Sequence, residues 1–214
     1  MKNVLVIGAG RFGRYTCQKL YELGEQTVLI DMQEDRIAKA LEYTTTSLIG
    51  DATDRAFLET IGVSNFDLCV VAIGDNFMSS LEATSLLKEL GAKRVVSRAA
   101  GTTQEKFLLR NGADSVVFPE RQLGIWTAIR YSYDNISNYF ELVDGYAIFE
   151  LNVPDSWDGM RIEDISPRRK YGLNILGIKE GRLNPNVDGD TVLHAGVPIL
   201  VLGNEEQVRK EFRL

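Results

Sequence analysis

Six short apolar runs, each followed by a stretch with helical spacing, dominate the first two thirds of the chain. Asn3–Ile7, Thr27–Ile30, Thr46–Ile49, Leu68–Ile73, Arg94–Ser97 and Ser115–Phe118 read as strands. Between them, Phe12–Leu23, Glu34–Leu41, Asp54–Ile61, Phe77–Leu90 and Thr103–Asn111 read as helices, with Gly24, Gly50, Gly62, Gly91 and Gly112 as punctuation. The central runs lack polar alternation, which fits strands covered on both faces. Strands alternating with helices build βαβ units, and these close into a doubly wound parallel sheet. The expected fold is therefore α/β, a Rossmann-like sheet occupying residues 1–138. A helix is expected over 121–138, where Ile125, Trp126, Ile129, Tyr133 and Ile136 recur at helical spacing.

From Tyr139 onward the texture changes to short strands and turns, and a small α+β lobe is expected over 139–214. Tyr146–Val153, Leu173–Lys179 and Ile199–Leu202 read as strands, Arg161–Ile165 as a short helix and Glu205–Phe212 as a closing helix. Asn184-Pro185-Asn186 and Asp188-Gly189-Asp190 read as turns.

Composition narrows the functional classes. Hydrophobic residues make up 44% and charged residues 25%, with a formal net charge of −6. That is the balance of a folded domain, and its acidic sign argues against nucleic acid as the main partner. The longest apolar run, Leu68–Ile73, is far shorter than the roughly 20 residues of a spanning helix. Val4–Ile7 is too short for the core of a signal peptide, so a cytoplasmic location is expected. Cys17 and Cys69 form no CxxC and are expected in the core. His194, the single histidine, leaves few routes to histidine catalysis and is expected at the surface or hydrogen-bonded.

The first strand runs straight into Gly8-Ala9-Gly10-Arg11-Phe12-Gly13, which opens the first helix. In that context Gly8 permits a tight turn, Gly10 lets backbone approach a diphosphate, and Gly13 lets helix and strand pack closely. The unpaired N–H groups of the helix N-terminus attract phosphate. Asp31 ends the second strand, eighteen positions after Gly13, with Met32 beside it. A carboxylate there accepts hydrogen bonds from ribose hydroxyls and repels a 2′-phosphate, so NADP is disfavoured. NAD, ATP, ADP and AMP all remain open. Asp51-Ala52-Thr53 follows the third strand, and Ala72-Ile73-Gly74 with Asn76 closes the fourth, both on the carboxyl edge where such sheets bind ligands. Arg98 ends the fifth strand and Glu120 follows the sixth. With Arg11, Arg98 would place two guanidinium groups on the phosphate edge, which suits two or three phosphates. Tyr15 and Lys19 have a Tyr-x-x-x-Lys spacing, but they lie on the first helix and cannot serve a nicotinamide. Arg168-Arg169-Lys170 is a basic cluster in the acidic second lobe.

This ordered set resembles the RCK family, the TrkA- and KtrA-like gating subunits of potassium uptake systems. GAGRFG, Asp31, Gly50-Asp51-Ala52-Thr53, Val71-Ala72-Ile73-Gly74, Asn111-Gly112-Ala113-Asp114, Pro119-Glu120 with Leu123-Gly124, Lys170-Tyr171-Gly172 and the Gly196–Gly203 ending carry it. The resemblance spans nearly the whole chain. It implies a TrkA-N domain and a TrkA-C domain, and a regulatory protein, not an enzyme. It also implies homodimers assembled into an octameric ring beneath a membrane-embedded potassium-translocating subunit. The helix 121–138 would be the crossover helix joining protomers. ATP and ADP would exchange at the N-terminal site, with Arg11 on phosphates, Asp31 on the ribose and Asp51 and Ala52 flanking the adenine. Glu120 would lie near the γ-phosphate, where a divalent cation can sit between subunits. Arg168, with Asn174 and Pro185 nearby, would bind cyclic di-AMP, although the 181–196 loop departs from the family pattern. Two other readings compete. One is an NAD(H)-sensing TrkA-type regulator. The other is an NAD-dependent oxidoreductase, which lacks catalytic groups at the right edge and has a second lobe small for a substrate domain.

Overall fold

A computed structural model describes residues 1–212. The first sheet is built from β1 (Asn3–Ile7), β2 (Gln26–Asp31), β3 (Thr46–Ile49), β4 (Leu68–Val71), β5 (Val95–Arg98) and β6 (Ser115–Val117). All its pairings are parallel, in the order β3-β2-β1-β4-β5-β6. The connections carry α1 (Arg11–Glu22), α2 (Glu34–Ala38), α3 (Arg55–Ile61), α4 (Phe77–Glu89) and α5 (Thr102–Arg110). Strand order reverses between β1 and β4, which makes their carboxyl ends the switch point of a doubly wound sheet.

The strands read as apolar because they are buried twice. Val4 and Val6 of β1 join Leu29, Val70, Cys17 and Ile37 in one core layer. Leu5 and Ile7 point the other way, into a layer with Ile30, Cys69, Val71, Leu58 and Leu87. Both cysteines are thus core residues, and burial pushes each thiol up to about 12. Helix ends follow local chemistry. Asp54 accepts from the Ala56 N–H at 2.9 Å and caps α3, which ends at Gly62 with φ 70°. The expected helix Glu34–Leu41 is shorter: it stops at Ala38, and a separate 3-10 turn covers Leu41–Tyr43.

The two compact units divide between Arg121 and Gln122, upstream of the expected limit at Asn138. Helix α6 (Pro119–Ser132) crosses that point, and its Trp126 and Ile129 pack on the second core. The expectation of one helix over 121–138 is corrected here. The helix stops at Ser132, and Ile136–Glu141 is a strand, β7. A β-bulge between Ile136 and Asn138 explains why the pattern misleads. It puts Ile136 and Tyr139, three apart, on the buried side, so the strand imitates helical spacing.

The second unit continues with β8 (Tyr146–Asn152), α7 (Ile162–Ile165), α8 (Pro167–Tyr171), β9 (Asn174–Glu180), β10 (Arg182–Asn184), β11 (Pro198–Asn204) and α9 (Glu205–Glu211). Its sheet is antiparallel, in the order β10-β9-β11-β8-β7. Asp144 and Gly145, both at positive φ, turn β7 into β8, which suits a tight hairpin. Phe149, Leu151, Ile199, Val201, Trp157 and Leu173 form the core. Strands β7 and β10 and helix α8 were not foreseen; β10 is a three-residue edge strand with every residue exposed. Among the described residues no helix is long and apolar enough to cross a membrane.

Candidate functional site

Because the first sheet is parallel, the loops after β1, β2, β3, β4 and β5 all open on one edge. The glycine loop lies at its centre. Gly8 has φ +103°, and a Cβ there would sit 3.2 Å from the Ala72 carbonyl carbon. At Gly13 a Cβ would fall 1.9 Å from the Gly8 oxygen, so only glycine lets α1 start this close to β1. Gly10 is different: a side chain there would meet nothing within 4 Å. Gly10 is also the N-cap of α1 and offers no capping side chain. The first N–H groups of this twelve-residue helix therefore have no capping side chain, an arrangement suited to phosphate oxygens. Arg11 is exposed on the first turn, and Phe12 is half-buried against the core.

Asp31 is buried yet ionisable, at 8% exposure. One carboxylate oxygen accepts the Ala9 N–H at 2.7 Å and the other accepts the Gln33 N–H at 2.8 Å. Arg36 lies 3.9 Å away on α2. A carboxylate has about four lone-pair sites, so acceptor capacity remains for ribose hydroxyls while the same group pins the glycine loop. Met32, next in the chain, is exposed.

Asp51 folds back on its own turn, accepting the Thr53 N–H at 2.9 Å and the Thr53 hydroxyl at 2.8 Å. Ala52 and Ala72 are buried in opposite core layers and form the floor under the loops. Gly50 is explained by packing, since a Cβ would land 2.2 Å from the Phe57 ring. Ile73 is half-buried. Asn76 accepts the Ser79 N–H at 3.1 Å through its amide oxygen and caps α4, while its amide NH2 is a separate donor.

Arg98 reaches the loop that follows β4. A Cβ on Gly74 would lie 1.7 Å from Arg98 Nη1, so the guanidinium rests directly on that glycine. Its Nη2 pairs with Glu120 in the first turn of α6. Its Nε is buried with no partner. Burial would raise the Glu120 carboxyl, but the residue's own N–H, the Arg98 hydrogen bond and the Arg98 and Arg11 charges together hold it below the ordinary range. Among the described residues no three His, Cys, Asp or Glu side chains gather to hold a metal ion. Within one chain Glu120 has a cation partner in Arg98.

In the second unit Arg168 Nε donates to the side-chain amide oxygen of Asn174. Pro185 follows Asn184, which pairs with Ile178 further along β9. The structure thus joins Arg168 to Asn174 and places Pro185 past the far end of that pairing. His194 and Asp158 are exposed, 3.8 Å apart. Tyr15 and Lys19 line an open apolar hollow on α1 with Phe12, Leu20 and Leu23, away from the carboxyl edge. Sequence reading missed Arg36, five positions after Asp31 in the helix that follows it. It also missed the seat of Arg98 on Gly74, which joins residues 24 apart and leaves no local pattern.

The TrkA-N domain matches residues 4–119, and the TrkA-C domain matches residues 146–213. The chain is 36% identical to Ktr system potassium uptake protein C of Bacillus subtilis, over 85% of this chain and 82% of that one. It is 32% identical to Ktr system potassium uptake protein A of the same organism, over 98% and 95%. Among solved structures, the GsuK channel bound to NAD has the same fold, with TM-score 0.69 and 20% identity over 96% of this chain and 38% of that one. The Kef C-terminal domain of Shewanella denitrificans in its AMP-bound form gives TM-score 0.50 and 25% identity, over 57% and 75%. The chain belongs to the family built from a TrkA-N and a TrkA-C domain, within its Ktr-type potassium uptake proteins.

Proposed function

We propose that this chain is the cytoplasmic nucleotide-sensing subunit of a potassium uptake system, with ATP and ADP exchanging along the carboxyl edge of the parallel sheet. The observation that carries the reading is a continuous rail of groups on that edge. Asp31 stands at the ribose end, and the bare N-terminus of α1 lies at the centre. From there Gly8 touches Ala72 and Ile73, and Gly74 carries the Arg98 guanidinium. The rail offers acceptors for hydroxyls and donors for a phosphate chain, which suits binding of a nucleotide. The names of the Bacillus subtilis relatives support a potassium-uptake setting.

In this reading the chain forms dimers that assemble into an octameric ring on a membrane-embedded translocating subunit. A ligand moves such a ring between shapes only by binding one shape better, and a third phosphate supplies contacts that ADP cannot make. Arg168 and Asn174, already paired, with Pro185 form the proposed cyclic di-AMP site of the second unit.

Thermal shift with ATP, ADP, NAD and NADH tests the reading. A ligand at a hundred times its Kd stabilises by about 2.7 kcal/mol, which is a rise of several degrees. ATP and ADP are expected to give it. Asp31→Asn should abolish the rise, since it turns an acceptor into a group that also donates. Unchanged binding in that variant, or a rise with NADH and none with ATP or ADP, overturns the assignment.

A further inference from the structure

Arg98 is held in a way that a free binding arginine is not. Its side chain is 17% exposed, whereas that of Glu120, its partner, is 57% exposed. The guanidinium meets Gly74 through Nη1, in space that a Cβ at that position would fill. One of its five donors, Nε, is buried and unpaired, a state that disfavours the present arrangement. A single carboxylate therefore leaves this cation under-satisfied. A tetrahedral phosphate offers more acceptor oxygens and suits a guanidinium fork.

The position matters as much as the chemistry. A Cβ on Gly8 of the glycine loop would meet the backbone of Ala72 and Ile73, and Gly74, next in the chain, is where Arg98 Nη1 sits. Arg11, in the glycine loop, also bears on the Glu120 carboxylate. A phosphate chain anchored over Gly10 and extended along the edge would meet Arg98 only with its distal phosphates.

We propose that Glu120 is an internal competitor for Arg98, a built-in anion that a ligand's distal phosphate must displace, so that the Arg98–Glu120 pair sets the number of phosphates the site prefers. The inference rests on the nucleotide reading above and deepens it. When the phosphate takes the guanidinium, Glu120 loses its side-chain partner on the first turn of α6. Glu120 is then a specificity-determining residue that acts through Arg98.

The test is the affinity of the full-length protein for ATP, ADP and AMP by titration calorimetry in EDTA, for wild type, Glu120→Gln and Glu120→Asp. Glu120→Gln removes the competing charge from a mostly exposed position. It should tighten ATP by about tenfold, the factor equivalent to 1.4 kcal/mol, and leave AMP unchanged. Glu120→Asp keeps the charge and should restore wild-type affinity. Unchanged or weaker ATP binding by Glu120→Gln in EDTA overturns the proposal. So does a loss of affinity seen only when Mg²⁺ is present, which would make Glu120 a cation ligand alone. If no nucleotide binds to any of the three proteins, the nucleotide reading falls first. Inorganic tripolyphosphate then reads the competition directly: tighter binding by Glu120→Gln supports it, and equal binding ends it.

Discussion

Asp31 shows how one side chain serves both structure and ligand. It takes N–H groups from Ala9 and Gln33, which ties the glycine loop to the end of β2, and still offers lone pairs outward. Its spacing from Gly13 was legible in the sequence because both positions are fixed by one βαβ unit. Ala52 and Ala72 were not legible as floor residues, since an alanine carries no sign of which way its methyl points. The cysteines could be read as core because a free cysteine behaves as a small apolar side chain, and burial puts both thiols at about 12. At pH 8 only about one thiol in ten thousand would then be ionised. Cys17 and Cys69 should resist a thiol reagent in the native protein and react together on unfolding in denaturant. A native protein that loses either thiol at the rate of a free cysteine contradicts the core placement.

At the scale of elements, strands buried on two faces and helices with local caps announce themselves, because burial and capping act on neighbouring residues. The end of α6 did not, because a bulge shifts β7 into helical register. Some ties between elements are equally invisible. Asp114, just before β6, accepts the Val95 N–H at 2.6 Å and pairs with Lys88 of α4 at 3.1 Å. The Val95 N–H, then Lys88, hold its carboxyl below the ordinary range against the opposing effect of burial. A carboxylate depressed by folding stabilises above its unfolded pKa, and that stability is lost as pH falls through the folded value. Asp114→Asn should therefore lower Tm by a few degrees at pH 7, equivalent to about 1 kcal/mol. The gap to wild type should narrow as the pH falls towards 3. A gap that widens with acid would contradict the sign.

For the whole molecule, the proposed ring predicts a mass well above that of one 23.9 kDa chain. Light scattering should find dimers or octamers, and a monomer with and without ATP would count against assembly. The sequence by itself determined the strand–helix alternation, the glycine turn, the acid at the end of β2 and the change of texture into a second lobe. These are consequences of periodicity, turn chemistry and spacing, which act over a few tens of residues at most. Only the tertiary structure decided that Arg98 lies on Gly74 and faces Glu120, and that the body of α6 belongs to the second core. Those outcomes depend on strands brought side by side from distant segments, and on which of several exposed charges comes within reach of another.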